Sequence, residues 1–342
     1  MPATALSGRS ATPQAPLVIS LGDPCGLGPE LVSKAWQALR GNTNLAFCVL
    51  GDAGLIADQG VPVVRVTSVT ETAKVFADAV PVLHTPLDVA AIPGSPNPKH
   101  ASHIIAWIKS GVDLCRAGDA RALVTCPIAK SVLYATGFSF PGHTEYLAAL
   151  CADGETLPQP VMMLTAQDLR VVLVTIHTPL KDVPGALSCD GIAAIARITH
   201  DALIRDFGIA HPRLVMAGLN PHAGEDGMIG REEVDILRPA VARLQADGLD
   251  MKGPFPADSL FHDEARRTYD AVLCMYHDQG LIPLKTIDFW GGVNITLGLP
   301  VVRTSPDHGT GFNIAGRGIA RADSLINAIK AADLIASHRA AA

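Results

Sequence analysis

Three histidines occupy the same place in the sequence pattern. The stretches "VVLVTIH", "RLVMAGLNPH" and "YDAVLCMYH" end in His177, His222 and His277, and each carries a short apolar run of the buried-strand type. In open α/β sheets, ligands collect beyond the carboxyl ends of strands. Three imidazoles gathered there can share one divalent cation and leave coordination positions for a substrate. The plainer reading of any one of them is a hydrogen-bonded loop residue. Separations of 45 and 55 residues carry no motif of their own, unlike H-E-x-x-H. What favours a metal is the recurrence of the arrangement in three of twelve histidines, and both readings stay open at this point.

Two polar stretches add to this set. In "GLNPHAGEDGMIG" (218–230), Gly and Asn-Pro punctuation predicts a structured turn with His222 and Glu225 at its tip. In "GHTEYLA" (142–148), His143 and Thr144 precede a helix with Glu145 in its first turn. There the hydroxyl and backbone N–H groups could hold an anion, or Thr144 could simply cap the helix. A third stretch, "SLGDPCGLGPE", places Gly22, Gly26 and Gly28 between an apolar run and a helix. Its spacing is G-x-x-x-G-x-G, so the G-x-G-x-x-G dinucleotide turn is excluded.

The elements that must position these groups alternate along the chain. "PLVISLG" precedes "PELVSKAWQALR", where Pro29 suits a first helical turn. "LAFCVLGD" reads as another buried strand, and "HASHIIAWIKSGVDLCRAG" as a long helix ending at Gly118. "RALVTC" followed by "PIAKSVLYATG" repeats the strand-then-helix order. The pattern predicts an α/β architecture with largely parallel strands. The 342 residues, 48% apolar and 18% charged, suit two domains with their own cores.

Composition narrows the partners. A net charge of −6 gives no general attraction to nucleic acid or anionic membrane, so an anionic ligand must be held by a few local cations. No apolar run reaches the ~18–20 residues needed to cross a bilayer. The first 16 residues lack the apolar core of a signal peptide and read as a mobile tail, which points to the cytoplasm. Seven scattered cysteines without C-x-x-C exclude a disulfide framework and a thiolate zinc site.

The motifs "MYHDQGLIPLK" (275–285), "GVNITLGLPVVRTSPDHGT" (292–310) and "GLNPHAGE" resemble those of the 4-hydroxythreonine-4-phosphate dehydrogenase (PdxA) family, and the likeness runs from about Leu17 to the C-terminus. The resemblance implies a divalent metal (zinc, cobalt or magnesium) on His177, His222 and His277, at the interface of a homodimer. It implies substrate contacts at His143, Thr144, Lys285, Asn294 and Arg303. Lys285 and Arg303 adjoin the apolar segments "GLIPLK" and "GLPVVR", a setting unlike that of ordinary solvated cations, and suit a phosphate. Cys25 stands where the family usually has alanine: a packing change at a small buried site, or a thiol open to oxidation if it borders the cleft.

"GDPCGLGPE" and "DHGTGFNIAGRGIA" (307–320) are also similar to loops of isocitrate and isopropylmalate dehydrogenases, which bind NAD or NADP without a Rossmann fold. That likeness implies cofactor contacts at Asp307, His308, Gly309 and Thr310. It also implies two α/β/α domains with a cleft between them. The first would span 17–135 and 300–342; the second, 136–299, would carry the metal and the dimer interface.

The implied reaction is NAD(P)-linked oxidation of the 3-hydroxyl of 4-phosphooxy-L-threonine, followed by loss of CO2 to give 3-amino-2-oxopropyl phosphate. Asp258, Asp278 and Asp307 are candidate general bases. Relatives in the wider family act on threonate or erythronate phosphates, or on terephthalate cis-dihydrodiols. A three-histidine metallohydrolase and a noncatalytic metabolite-binding protein are the rivals from other classes; the "HGTGFNIAGRGIA" loop favours a dehydrogenase over both.

Overall fold

The computed structural model describes residues 15–140 and 142–341. The tail predicted over residues 1–16 lies outside the described residues as far as residue 14. The chain forms two compact units, one made of the chain up to Pro160 together with Leu299–Ala342, the other of Val161–Gly298.

The first unit holds β1 (Leu17–Ser20), β2 (Phe47–Gly51), β3 (Val63–Val66), β4 (Val80–His84), β5 (Ala122–Thr125) and β12 (Arg303–Pro306). Their order is β3-β4-β2-β1-β5-β12 and every pairing is parallel. Central β1, β2 and β5 are buried along their whole length, as continuous apolar runs in a sheet covered on both faces must be. The helix Gly28–Leu39 starts with Pro29 in its first turn, and the helix Ala101–Ala117 stops at Gly118 in the left-handed conformation, both as the sequence predicts. Trp36 and Trp107 are buried, and the Trp36 indole N–H donates to Phe76 O at 2.7 Å.

The second unit holds β6 (Val161–Ala166), β7 (Leu169–Leu173), β8 (Arg213–Ala217), β9 (Asp250–Phe255), β10 (Ala271–Cys274) and β11 (Val293–Leu297). Their order is β11-β6-β7-β10-β8-β9. The run β7-β10-β8-β9 is parallel, whereas β6 pairs antiparallel with both β7 and β11. The expectation of largely parallel strands therefore holds, with β6 as the exception. Leu164, Val171, Leu173, Val215, Val272 and Leu284 belong to this unit's core.

One expected boundary moves. Residues 136–160, assigned from sequence to the second domain, belong to the first unit. The cause is tertiary packing: the Tyr146 hydroxyl donates to Ile105 O at 3.5 Å, and Arg116 donates to Leu150 O and Ala152 O at 2.9 and 3.1 Å. These bonds tie the helix His143–Leu150 and its exit to the helix Ala101–Ala117. The segment "PIAKSVLYATG" is helical only over Lys130–Tyr134.

Candidate active site

His177, His222 and His277 follow β7, β8 and β10, which are adjacent and parallel, with β10 between the other two. The β7–β10 ladder continues past the strand ends. Val174 N donates to Cys274 O at 2.8 Å, and Thr175 donates to Met275 O from its N–H at 3.2 Å and from its hydroxyl at 2.7 Å. The two histidine-bearing exits are thus held side by side, and the rings of His177 and His277 stand 6.1 Å apart, tilted by 35°. His277 is also the first residue of the helix His277–Ile287, and its Nδ1 lies 2.7 Å from Asp278 Oδ1.

His222 is presented differently. From His222 to Asp226 the backbone is left-handed, with φ of 54°, 51°, 77°, 41° and 55°, and only Gly224 among these five is glycine. A left-handed turn costs an L-residue roughly 1–2 kcal/mol, so such a run persists only where its surroundings hold it. Glu233, which is buried, takes Asn220 N on Oε1 at 2.7 Å and Asn220 Nδ2 on Oε2 at 2.9 Å. Within the turn, Ala223 N donates to Asn220 O, and Ile229 N to Gly224 O, both at 3.1 Å. A Cβ on Gly224 would lie 2.6 Å from Glu233 Oε2. Glycine is therefore required there by the carboxylate as well as by the backbone. Buried Gln279 links this loop to the neighbouring strand end: it accepts from Met275 N at 2.7 Å and donates to Gly218 O at 2.6 Å.

Among the described residues, no group of three or more His, Cys, Asp or Glu side chains is already arranged around a metal position. Two rings face one another, and the third sits on a separately built turn at the next strand end. Imidazoles sharing one zinc at Zn–N ~2.1 Å would bring their ring centres to about 5 Å, a little closer than His177 and His277 stand. The donor set itself suits a borderline cation: three exits of one parallel sheet, each carrying an imidazole. Lys285 belongs to the same helix as His277, with its ammonium 5.4 Å from the centre of the Phe289 ring. Asn294 lies on β11, and its buried Oδ1 has no hydrogen-bond partner.

The first unit builds a second constellation. Arg303 on β12 is 4% exposed, and its guanidinium donates to Thr125 Oγ1 from Nε at 3.2 Å and from Nη2 at 2.7 Å. Nη2 also donates to His143 Nδ1 at 3.3 Å. Burial lowers the Arg303 pKa to about 10, the sign of a cation deprived of solvation. An arriving anion would compensate that loss. Burial, and then the neighbouring guanidinium, push the His143 imidazole well below its ordinary range. Because Nδ1 accepts from Arg303, the proton of neutral His143 sits on Nε2, a covered donor with no partner.

Thr144 does not cap the helix. It lies inside the helix His143–Leu150, buried, and the capping position belongs to Gly142, which has no side-chain cap. The capping alternative therefore fails.

Of the loop residues with expected cofactor contacts, Thr310 has its carbonyl bonded to Leu27 N at 3.0 Å, and a Cβ on Gly26 would sit 3.0 Å from that same oxygen. The two glycine-rich loops of this unit thus touch one another. His308 and Gly309 are exposed, and Asp307 N donates to Ser324 Oγ at 3.0 Å. Cys25 is buried and its thiol pKa is raised, mainly by that burial, so the oxidation-prone alternative fails. Among the candidate bases, Asp258 is exposed and Asp278 is engaged with His277.

Sequence reading missed Thr125, Asp23, Glu233 and Gln279. Asp23 is fully buried; Oδ1 accepts from Cys25 N at 3.0 Å, Oδ2 has no partner, and burial raises its carboxyl pKa. A polar residue closing an apolar strand, as in "RALVT", was the available signal for Thr125.

Comparison with known proteins agrees with this architecture. The family model described as "Pyridoxal phosphate biosynthetic protein PdxA" matches residues 43–332. The chain is 58% identical over 328 residues to a 4-hydroxythreonine-4-phosphate dehydrogenase of Caulobacter vibrioides, covering 95% of this chain and 98% of that one. The crystal structure of a 4-hydroxythreonine-4-phosphate dehydrogenase from Klebsiella pneumoniae superposes with a TM-score of 0.83 at 34% identity, over 94% of this chain and 98% of that one. A terephthalate 1,2-cis-dihydrodiol dehydrogenase from Burkholderia xenovorans gives a TM-score of 0.62 at 28% identity, with the same coverage of 94% and 98%.

Proposed function

Because this chain belongs to the PdxA family of pyridoxal phosphate biosynthetic proteins, we propose that it oxidises 4-phosphooxy-L-threonine with NAD or NADP and releases CO2 and 3-amino-2-oxopropyl phosphate. The observation that carries the choice of a phosphorylated substrate is the buried Arg303 guanidinium, bonded to the neutral partners Thr125 and His143. Guanidinium suits a phosphate because its N–H groups form a planar fork. Lys285, on the helix that begins at His277, is proposed as a further substrate contact. His143 offers its Nε2 proton as a hydrogen-bond donor to a substrate oxygen, and Thr144 adds a hydroxyl.

His177, His222 and His277 would hold a divalent metal, with zinc or cobalt favoured over magnesium by nitrogen ligands. Such an ion, when bound, supplies Lewis acidity toward the substrate hydroxyl and the ketone derived from it. The nicotinamide supplies the hydride acceptor. Asp307, His308, Gly309 and Thr310 are proposed to line its site, a reading supported by the contact of that loop with the glycine-rich turn after β1.

A homodimer is proposed, with the active site at its interface. Ile282, Phe289 and Trp290, exposed at 64%, 61% and 50%, support it by offering apolar area beside the histidine-bearing helix. A cytoplasmic setting is supported by seven cysteines, all free thiols. Among the described residues, no helix is long and apolar enough to cross a membrane.

The test is an assay of metal-loaded protein with NAD+ and NADP+ against three substrates: 4-phosphooxy-L-threonine, a threonate phosphate and a terephthalate cis-dihydrodiol. Reduced nicotinamide with one equivalent of CO2 is expected from the first. Turnover of the dihydrodiol alone would replace this reading with that of the structural neighbour.

A further inference from the structure

The turn that carries His222 is built by residues that no part of the reaction uses. We propose that Glu233 and Gln279 are positioning residues that hold the left-handed turn Pro221–Gly227 in a ligand-presenting conformation before any metal arrives. The proposal rests on the metal reading above for its purpose, though its geometry stands apart from that reading.

The turn needs outside support. Four of its five left-handed residues (His222, Ala223, Glu225 and Asp226) carry side chains that disfavour this backbone region. Its internal bonds, Ala223 N to Asn220 O, Met228 N to Glu225 O and Ile229 N to Gly224 O, close only if the segment enters at the right angle. That angle is fixed at Asn220, whose backbone N–H and side-chain amide both donate to the Glu233 carboxylate. The same amide nitrogen donates to Glu232 Oε2 at 2.7 Å. Glu233 lies completely buried, so its orientation is set by packing as well as by these bonds.

Gln279 sets the other coordinate. Its carboxamide spans from Met275 N, two residues before His277, to Gly218 O, four residues before His222. The amide orientation follows from the partners: oxygen toward the N–H, nitrogen toward the carbonyl. One buried side chain thereby links the backbones that lead into two of the three histidines. A ligand set held in this way meets a cation with less reorganisation than three mobile loop tips would, and partners of this kind commonly govern metal affinity by ~10–100-fold.

Glutamine at position 233 is nearly isosteric but has a single acceptor oxygen. Glu233→Gln must therefore sacrifice one of the two Asn220 bonds whichever way its amide turns. Gln279→Leu removes both of its links while preserving bulk. The experiment measures Zn2+ affinity of each variant and wild type by competition with a chromophoric chelator. It also measures amide hydrogen exchange at Ala223, Met228 and Ile229 in metal-free protein, and the melting temperature. The proposal expects weaker Zn2+ binding by ~10–100-fold and faster exchange at those three amides relative to the amides of β8, beside whatever fall in melting temperature the unpaired buried groups bring. Unchanged exchange in both variants overturns it. So does a fall in melting temperature with Zn2+ affinity intact, the mark of a merely structural role. If wild-type protein binds no Zn2+, the metal reading fails, and the exchange comparison still decides whether these residues hold the turn.

Discussion

The two units prepare for opposite charges by opposite means. In the first, a cation is already in place: Arg303 is buried, tied to Thr125 and His143, and deprived of water by its surroundings. In the second, the groups expected to receive a cation are imidazoles on exits of adjacent strands, with His177 and His222 exposed to solvent. Burying a permanent charge costs free energy that an arriving anion can repay. In that unit the strain lies in backbone conformation, in a left-handed turn around a buried carboxylate. On the proposed reading, a site for an anion is prepared by electrostatics, and a site for a metal by geometry.

That contrast can be broken by removing a defining group from each side. The largest effect is expected from His222→Ala. Loss of one of three nitrogen donors should lower bound metal and turnover together, with turnover falling by more than ~100-fold; metal analysis of the purified variant beside its kcat checks this. Full metal occupancy would remove His222 from the ligand set. Next comes Arg303→Ala. A buried charge-assisted hydrogen bond contributes roughly 1.5–3 kcal/mol, so kcat/KM for the phosphorylated substrate should drop ~10–100-fold. A dephosphorylated analogue should lose much less, and equal losses would mean that Arg303 serves the fold.

A smaller effect separates geometry from charge. Gly224→Ala places a Cβ against Glu233 and should destabilise the protein by about 1–3 kcal/mol, read as a shift in the denaturant midpoint. The smallest effect concerns His143. Its folded-state pKa lies well below 6.5, so between that value and 6.5 the unfolded chain binds more protons than the folded one. Stability therefore rises with pH across this window and is lost as pH falls below about 6.5. His143→Gln should flatten that acid limb while leaving stability near pH 8 little changed. An unaltered limb would show that His143 titrates normally.

Much of this was legible in the sequence, for reasons specific to each element. The helix Ala101–Ala117 announces itself by periodic apolar residues and a terminal Gly118. His177, His222 and His277 stand out because the apolar strands before them are unmistakable. The turn around His222 is visible in its Gly and Asn-Pro punctuation, but its handedness is not. That depends on Glu233, which meets Asn220 only after the chain has folded back. The placement of residues 136–160 escaped for the same reason, being fixed by Arg116 and Tyr146 across a helix pair. Thr125 and Gln279 bind no implied ligand, and the only mark on either in the sequence is the place of Thr125 at the end of an apolar strand. Their roles exist only in hydrogen bonds to partners distant in the chain.

The central claim is that three imidazoles, one from each of three adjacent strand exits, form the metal site of the second unit. X-ray absorption at the zinc edge of the metal-loaded protein tests it most directly, with His222→Ala as the paired sample. The account expects three imidazole nitrogens at about 2.0–2.1 Å in the wild type, and one fewer in whatever metal the variant retains. A first shell of oxygen alone, or an imidazole count unchanged by the substitution, would contradict it.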